Sequence, residues 1–454
     1  MRAARITSSF MPSHLTRRDF LALSAAGAAG LAVSCQMPGY LQPGQKLRHA
    51  AVGVGGMGSG DLGQISSHPD VQIVALCDVD ANNLAKAAAL HPAARTYRDW
   101  RVMLREEKRA IDSVCVSTPD HMHAPVTMSA MAMGKHVYCQ KPLTHTVVEA
   151  RRIAEFARKS GVVTQMGIQN HSGQNYLRAI EIFRSGICGP VEQVHVWTDR
   201  PAGWWPQDVV KPTGEDPVPD SLEWDLWLGV APKRNYKNGA YHAFVWRGRK
   251  DFGTGAQGDM ACHLMDPALW FLGLGQPSSI RSNGPKPKAD SFPLWSEVQY
   301  RFGPTELTHA EGVDLTWHDG GRKPQSLFDE YGISDPYGNG SLFVGEKGAL
   351  MVSPYEPCRF FPTGAEELAL ELPDIAGRNH WHQWVDACFQ RVEATAGFDY
   401  SGLLTEVALL GNVALEFPGQ TLHWNASQMN FGSNILANRF LHKDYRGGWE
   451  VKGL

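Results

Sequence analysis

Gly53-x-Gly55-x-x-Gly58, in the stretch AAVGVGGMGSGDLGQI (50–65), breaks an apolar run that then resumes with helical spacing. Glycines so placed after a strand permit a tight turn, close approach of the main chain to a pyrophosphate, and close helix–strand packing. The N-terminus of the helix that follows offers free N–H groups and a favourable dipole to phosphates. Asp78 closes the second strand-like run, where a carboxylate accepts both adenosine ribose hydroxyls and repels a 2′-phosphate. The pattern therefore predicts a dinucleotide cradle that takes NAD in preference to NADP; the bland alternative is a flexible turn. Two further motifs follow later strand-like runs. One is STPDHMHAP, with Thr118, Pro119, Asp120, His121 and His123; the other is YCQKPLT, with Lys141 and Pro142. Both fall at strand carboxyl ends, where open parallel sheets bind ligands.

The elements that must hold these groups are legible as a rhythm. RHAAVGV, VQIVALCDV, IDSVCVST, KHVYCQ and VVTQMGI are apolar runs of strand length, and helical patterns fall at 57–66, 81–90, 124–133 and 147–159. That alternation predicts an α/β fold, a doubly wound parallel sheet of Rossmann type. After about residue 172 the rhythm changes to a helical stretch at 174–185, longer loops, and strand candidates VEQVHVWT, SEVQYRF, LTHAEGV, GSLFVGEKGALMV and TLHWN. These read as a second, α+β domain with a mainly antiparallel sheet, and helical segments near 379–391 and 401–416 pack onto it or back onto the first domain. The expected organisation is an export signal at 1–35, a linker with two Pro-Gly dipeptides at 36–46, a nucleotide domain at 47–172 and a substrate and oligomerisation domain at 173–454.

Bulk properties agree with that division. A chain of 454 residues, 43% hydrophobic and 20% charged, exceeds one ordinary core and is neither disordered nor fibrous. Its net charge is −3, and because residues 1–35 contribute +3, the remainder carries −6. A nucleic-acid partner, which needs a basic face, is not expected. LTRRDFLALSAAGAAGLAVSC places Arg17 and Arg18 ahead of an apolar run from Phe20 to Val33, too short to span a bilayer comfortably. It resembles a twin-arginine signal, which predicts delivery of the folded protein to the periplasm by the twin-arginine export machinery. Cys35 at the end of that run raises a lipid anchor as the alternative to simple cleavage. The other cysteines form no CxxC pair and no zinc-ligand spacing.

The glycine fingerprint, the TP-x-x-x-H of Thr118, Pro119 and His123, and the Lys141-Pro142 pair together resemble the Gfo/Idh/MocA oxidoreductase family. The resemblance runs from about residue 47 to the C-terminus and is most specific in the first 170 residues. It implies a nucleotide domain followed by an open-faced sheet domain, with substrate between them, and pairing of copies into a homodimer or homotetramer. The cofactor contacts it implies are Gly53, Gly55, Gly56, Met57, Gly58, Asp78, Thr118, Pro119, His123 and Lys141. The family tripeptide is EKP, with its lysine at the nicotinamide and substrate; here it reads Gln140-Lys141-Pro142. A D-x-x-x-H on a helix of the second domain is matched by Asp259 and His263 in GTGAQGDMACHLMD. Residues four apart share a helix face, so both can point at one substrate carbon. The same spacing suits two metal ligands, but no third completes a site on that segment, and no metal is expected.

The implied chemistry is oxidation of a secondary alcohol by hydride transfer to the nicotinamide. A neutral His263 would take the hydroxyl proton, the Lys141 ammonium would stabilise the alkoxide, and Asp259 would orient substrate or histidine. An exchange of the His263 and Lys141 roles stays open, since a desolvated lysine can lose its proton. Six of fourteen tryptophans lie between 197 and 246. Trp204 and Trp205, in a Pro- and Gly-rich loop, are candidates to stack on a sugar ring, and His171, Tyr241, His242 and Arg247 are candidate substrate contacts. Trp224 and Trp227, spaced for one helix face, read as core. The expected enzyme is an NAD-dependent oxidoreductase acting on a sugar, glycoside or cyclitol, with a tightly held cofactor because free NAD is scarce outside the cytoplasm. The alternatives are a glycoside hydrolase that works by transient oxidation, elimination and re-reduction, with His123 or Tyr241 as the additional base, and a non-catalytic sugar-binding protein.

Overall fold

The computed structural model describes residue 41 and residues 44–454, so the expected export signal at 1–35, with Cys35, and most of the expected 36–46 linker lie outside the described residues. The strands run β1 Leu47–Val52, β2 Val71–Cys77, β3 Arg95–Tyr97, β4 Ser113–Val116, β5 His136–Gln140 and β6 Thr164–Gly167, then β7 Val191–Trp197, β8 Pro277–Asn283, β9 Glu297–Phe302, β10 Val313–His318, β11 Gly340–Gly345, β12 Gly348–Val352, β13 Arg359–Pro362 and β14 Thr421–His423.

The first six form one parallel sheet in the order β3-β2-β1-β4-β5-β6. The order reverses between β1 and β4, which opens a crevice at their carboxyl ends. Strict alternation buries the sheet on both sides. Ala50, Val52, Ala75, Cys77, Val114, Val116, Val137 and Cys139 enter one core. Leu47, Ala51, Leu76, Cys115 and Tyr138 enter the other, against the helices Met57–Ser66, Ala81–Leu90 and His380–Cys388. Trp384, Val385 and Cys388 of that last helix bring a late part of the chain back onto the nucleotide sheet. Helix ends follow local chemistry: Asp80 caps Ala81–Leu90 through Asn82 N, and Thr146 with Glu149 makes a reciprocal capping box on Val147–Ser160.

The remaining strands form an eight-stranded sheet, β13-β12-β11-β7-β10-β9-β8-β14, antiparallel except where β7 meets β10. The expected strand over LTHAEGV is turns instead. Leu307 is exposed, and Gly312 takes a positive φ of 96°, so β10 begins only at Val313. One face of this sheet packs Val194, Val196, Ile280, Val298, Tyr300, Leu315 and Phe343 into the main core. On the other face, Phe328 and Ile333 cover the apolar half formed by Trp197, Leu342, Ala349, Met351 and Phe361. The uncovered half presents Gln193, Arg281, Gln299, Arg301 and Asp314, so the exposed apolar surface that pairing of copies would favour is not on these strands. The seven cysteines among the described residues are free and buried, and no helix of the described residues is long and apolar enough to cross a membrane.

Candidate active site

A cavity of about 680 Å³ lies at the carboxyl ends of β1, β2, β4 and β5, closed from the far side by residues of the 226–263 stretch. At its nucleotide end, Gly53 has φ 80°, and a Cβ there would come within 2.6 Å of the Ser117 carbonyl. A Cβ on Gly58 would lie 2.0 Å from the Gly53 carbonyl, so this glycine seats the helix on the strand behind the cradle. Gly55, Gly56 and Met57 line the cavity, and the helix starts at Met57 without a side-chain cap; Gly58 N and Ser59 N donate to the Gly55 and Gly56 carbonyls, which leaves the Met57 N–H and the helix dipole to face a phosphate. Asp78 also lines it. Its carboxylate accepts from Val54 N at 2.9 Å and Asp80 N at 2.8 Å, which fixes its orientation while lone pairs remain for ribose hydroxyls. Thr118 Oγ1 is buried on the cavity wall without a partner, an orphan of the kind a bound ligand satisfies. These residues fit a dinucleotide.

The two later motifs are tied together by His123. Its Nδ1 lies 2.7 Å from the Pro142 carbonyl and its Nε2 2.8 Å from the Thr118 carbonyl. Burial pushes the imidazole down to about 4, against the pull of both carbonyls. The ring lines the cavity but acts as a clasp that holds the Thr118 loop against the Lys141 loop.

The reactive cluster sits past that clasp. Lys141 Nζ donates to Asp259 Oδ1 at 2.6 Å, and Arg247 Nε lies 3.4 Å from the same oxygen. Burial would push the Asp259 carboxyl up, but the Lys141 and Arg247 charges hold it below the usual carboxylate range. His263, one helical turn on, is driven down to about 3 by burial and by the Lys141 charge, and its Nδ1 is buried without a partner. It is a neutral imidazole facing a cation. Asp120 shares the cavity, accepts from Thr254 Oγ1 at 2.8 Å, and is pushed up to about 7 by burial and the Asp259 charge. It is the carboxyl in this cluster whose proton is in play near neutrality.

Lys141, Asp259, His263 and Arg247 are thus brought together, and several other sequence candidates are not. His242 reaches the cavity at the opposite end, 3.1 Å from Asp80 Oδ2, near Asp78 and away from Lys141. Tyr241 is buried in an aromatic cluster with Trp227, Trp246 and Phe252. Trp205 is buried with its indole N–H on Gln207, whereas Trp204 is exposed and stacks on Arg200. His171 pairs with Asp266 at 3.0 Å, stacks on Trp270 and lines a separate cleft. For Tyr241, Trp204, Trp205 and His171, partners supplied by the chain hold the side chain away from the cavity, whereas His242 lines it at the Asp80 end. Residues the sequence did not single out include Arg98, Asn83, Gln169 and Phe244 on the cavity wall. Arg98 donates to the Val79 and Ser221 carbonyls, and Ala81 N to Ser221 O and Glu223 N to Val79 O add two main-chain bonds there. Together they bolt the 221–252 stretch to the nucleotide sheet. No sequence spacing announces such a contact. Among the described residues no cluster of three metal-binding side chains occurs.

Two family models match the chain: an oxidoreductase family NAD-binding Rossmann fold, Gfo/Idh/MocA, over residues 47–168, and an oxidoreductase family C-terminal alpha/beta domain over residues 184–314. A Glycosyl hydrolase family 109 protein of Stenotrophomonas maltophilia is 31% identical over 193 residues, covering 40% of this chain and 41% of the relative. Inositol 2-dehydrogenase of Salmonella typhimurium is 28% identical over 152 residues, covering 33% of this chain and 45% of the relative. The matches thus span less than half the length of these curated relatives. Among solved structures, aldose-aldose oxidoreductase from Caulobacter crescentus superposes with TM-score 0.58 at 17% identity, over 84% of this chain and all of that one. The WlbA dehydrogenase of Bordetella pertussis, in complex with NADH and UDP-GlcNAcA, gives TM-score 0.59 at 17% identity, over 84% of this chain and 99% of that one. At such identity these likenesses speak to the fold.

Proposed function

The chain belongs to the Gfo/Idh/MocA oxidoreductase family, and from that premise we propose that it transfers hydride between a secondary alcohol of a sugar, glycoside or cyclitol and NAD. The observation that carries this reading is the Lys141–Asp259 pair at 2.6 Å, set in one cavity with His263 and the Gly53–Gly58 cradle. Bound in the cradle, the cofactor supplies a hydride acceptor. The chain's own residues do the rest. Asp259 pairs with Lys141 and aims it, so its ammonium stabilises the developing alkoxide in a site of low dielectric. Neutral His263 accepts a hydrogen bond from the hydroxyl, and Asp120, pushed up to about 7, is the group at the cavity wall that takes up the proton near neutrality. Leu226, Trp227, Phe244 and Trp246 exclude water from the substrate side.

Support for the substrate class comes from the inositol dehydrogenase and glycosyl hydrolase relatives. The hydrolase likeness also supports a second reading, glycoside cleavage by transient oxidation. Of the bases that reading invoked, Tyr241 is in the core and both His123 nitrogens face carbonyls, which leaves Asp120. Export by the twin-arginine route, with cofactor loaded beforehand, is part of the same proposal and rests on Arg17, Arg18 and the apolar run after them. Association of copies rests on family likeness alone.

The deciding experiment incubates purified protein and NAD with a panel of free sugars, cyclitols and aryl glycosides, following nicotinamide absorbance and product mass. A keto product with stoichiometric reduced nicotinamide is expected. Aglycone release without net reduction would replace this reading with the second, and binding of sugars with neither change would leave a non-catalytic binding protein.

A further inference from the structure

Asp61, on the helix behind the glycine cradle, is fully buried. Its carboxylate accepts from three donors: Ser117 Oγ at 2.7 Å, Trp381 Nε1 at 2.8 Å, and Gln140 Nε2 at 2.9 Å from both oxygens. Each donor comes from a different element. Ser117 directly precedes the Thr118-Pro119 loop at the end of β4, Gln140 directly precedes Lys141 at the end of β5, and Trp381 belongs to the helix His380–Cys388. Every partner is a donor, so an ionised carboxylate satisfies the whole set. The titratable groups facing it are Cys115 on β4 and Tyr138 and Cys139 on β5, all kept neutral by burial.

We propose that Asp61 is the positioning carboxylate of the Lys141 loop, and that Gln140 is its matched partner. The charge that the EKP pattern carries beside the lysine is here carried one helix away, and the amide at 140 is the form that can donate to it. A glutamate at 140 would set two carboxylates about 3 Å apart, where both cannot ionise and the pair holds a shared proton. Asp61 touches neither substrate nor cofactor. It acts by fixing the ends of β4 and β5, and hence the Thr118 loop and Lys141, against the cradle helix. The kinetic consequence rests on the reading of Lys141 given above, whereas NAD affinity and melting are read without any substrate.

The test measures NAD affinity and thermal melting at pH 6 and pH 8.5 for the full chain, Gln140→Glu, and Asp61→Asn with Gln140→Glu, each relative to the unaltered protein. Gln140→Glu is expected to bind NAD about tenfold more weakly at the higher pH and to recover at the lower, as the carboxylate pair takes up its proton. The double substitution restores one carboxylate and one amide, so it is expected within about threefold of the unaltered protein at both pH values. Ser117→Ala, which deletes one donor and no charge, is expected to weaken NAD binding about threefold. A pH-independent Gln140→Glu, a double variant no better than the single one, or a Ser117→Ala protein with unaltered affinity would each overturn the proposal.

Discussion

Lys141 is aimed by its hydrogen bond to Asp259 while burial keeps His263 neutral, and this division of labour makes distinct predictions for each side chain. Lys141→Met should lower kcat about a hundredfold or more with a far smaller effect on NAD affinity, because the lost interaction is strongest with the alkoxide. Stopped-flow turnover and NAD titration separate the two. Asp120 sits at about 7, so it is neutral below that pH and an anion above it. Alcohol oxidation that uses the anion as proton acceptor should therefore rise with pH through about 7, and Asp120→Asn should flatten that limb of the profile. Resemblance to the family's motifs pointed to Lys141, Asp259 and His263, and the fold brings the three together in one cavity. Sequence pattern placed Tyr241 and His171 wrongly relative to the cavity because aromatic and polar types in loops do not reveal which way they face. Tyr241 found an aromatic cluster, and His171 found Asp266.

At the scale of elements, the cradle depends on a glycine that no side chain can replace. Gly58→Ala would place a methyl 2.0 Å from the Gly53 carbonyl, so helix and strand must separate; loss of NAD binding and a lower melting temperature are expected. The bolt between the 221–252 stretch and the nucleotide sheet lies at the Asp78 end of the cavity, where the adenosine of the proposed cofactor would sit. Arg98→Ala removes its bonds to the Val79 and Ser221 carbonyls and should speed NAD release about tenfold, measured by displacement of prebound cofactor. The helices Met57–Ser66 and Ala81–Leu90 were legible to the residue, since a glycine turn and the Asp80 cap mark their starts. Strand β3 has three residues, and β8 begins at Pro277, so neither shows the alternation that reveals a strand. The Asp61 hub was illegible because its four members are spread from 61 to 381.

Across the described residues, the chain runs through the nucleotide sheet, then β7 to β13 of the second sheet, returns at His380–Cys388 to cover the first, and adds β14 to the second sheet last. The sequence left that return open, since the helical segment near 379–391 could pack on either domain, and Trp384, Val385 and Cys388 settle it on the nucleotide sheet. The proposed export route makes a prediction of its own: replacing Arg17 and Arg18 by lysine should leave folded, NAD-loaded protein in the cytoplasm, as cell fractionation would record. The central claim is hydride transfer at the Lys141–Asp259–His263 cluster. Its most direct measurement uses an alcohol substrate found in the panel, deuterated at the reacting carbon, and follows the label by mass spectrometry in a single turnover. The account predicts deuterium on the nicotinamide with the unaltered protein and almost none with Lys141→Met, both proteins holding NAD. Label appearing in solvent instead of on the cofactor, or transferred equally well without Lys141, would contradict it.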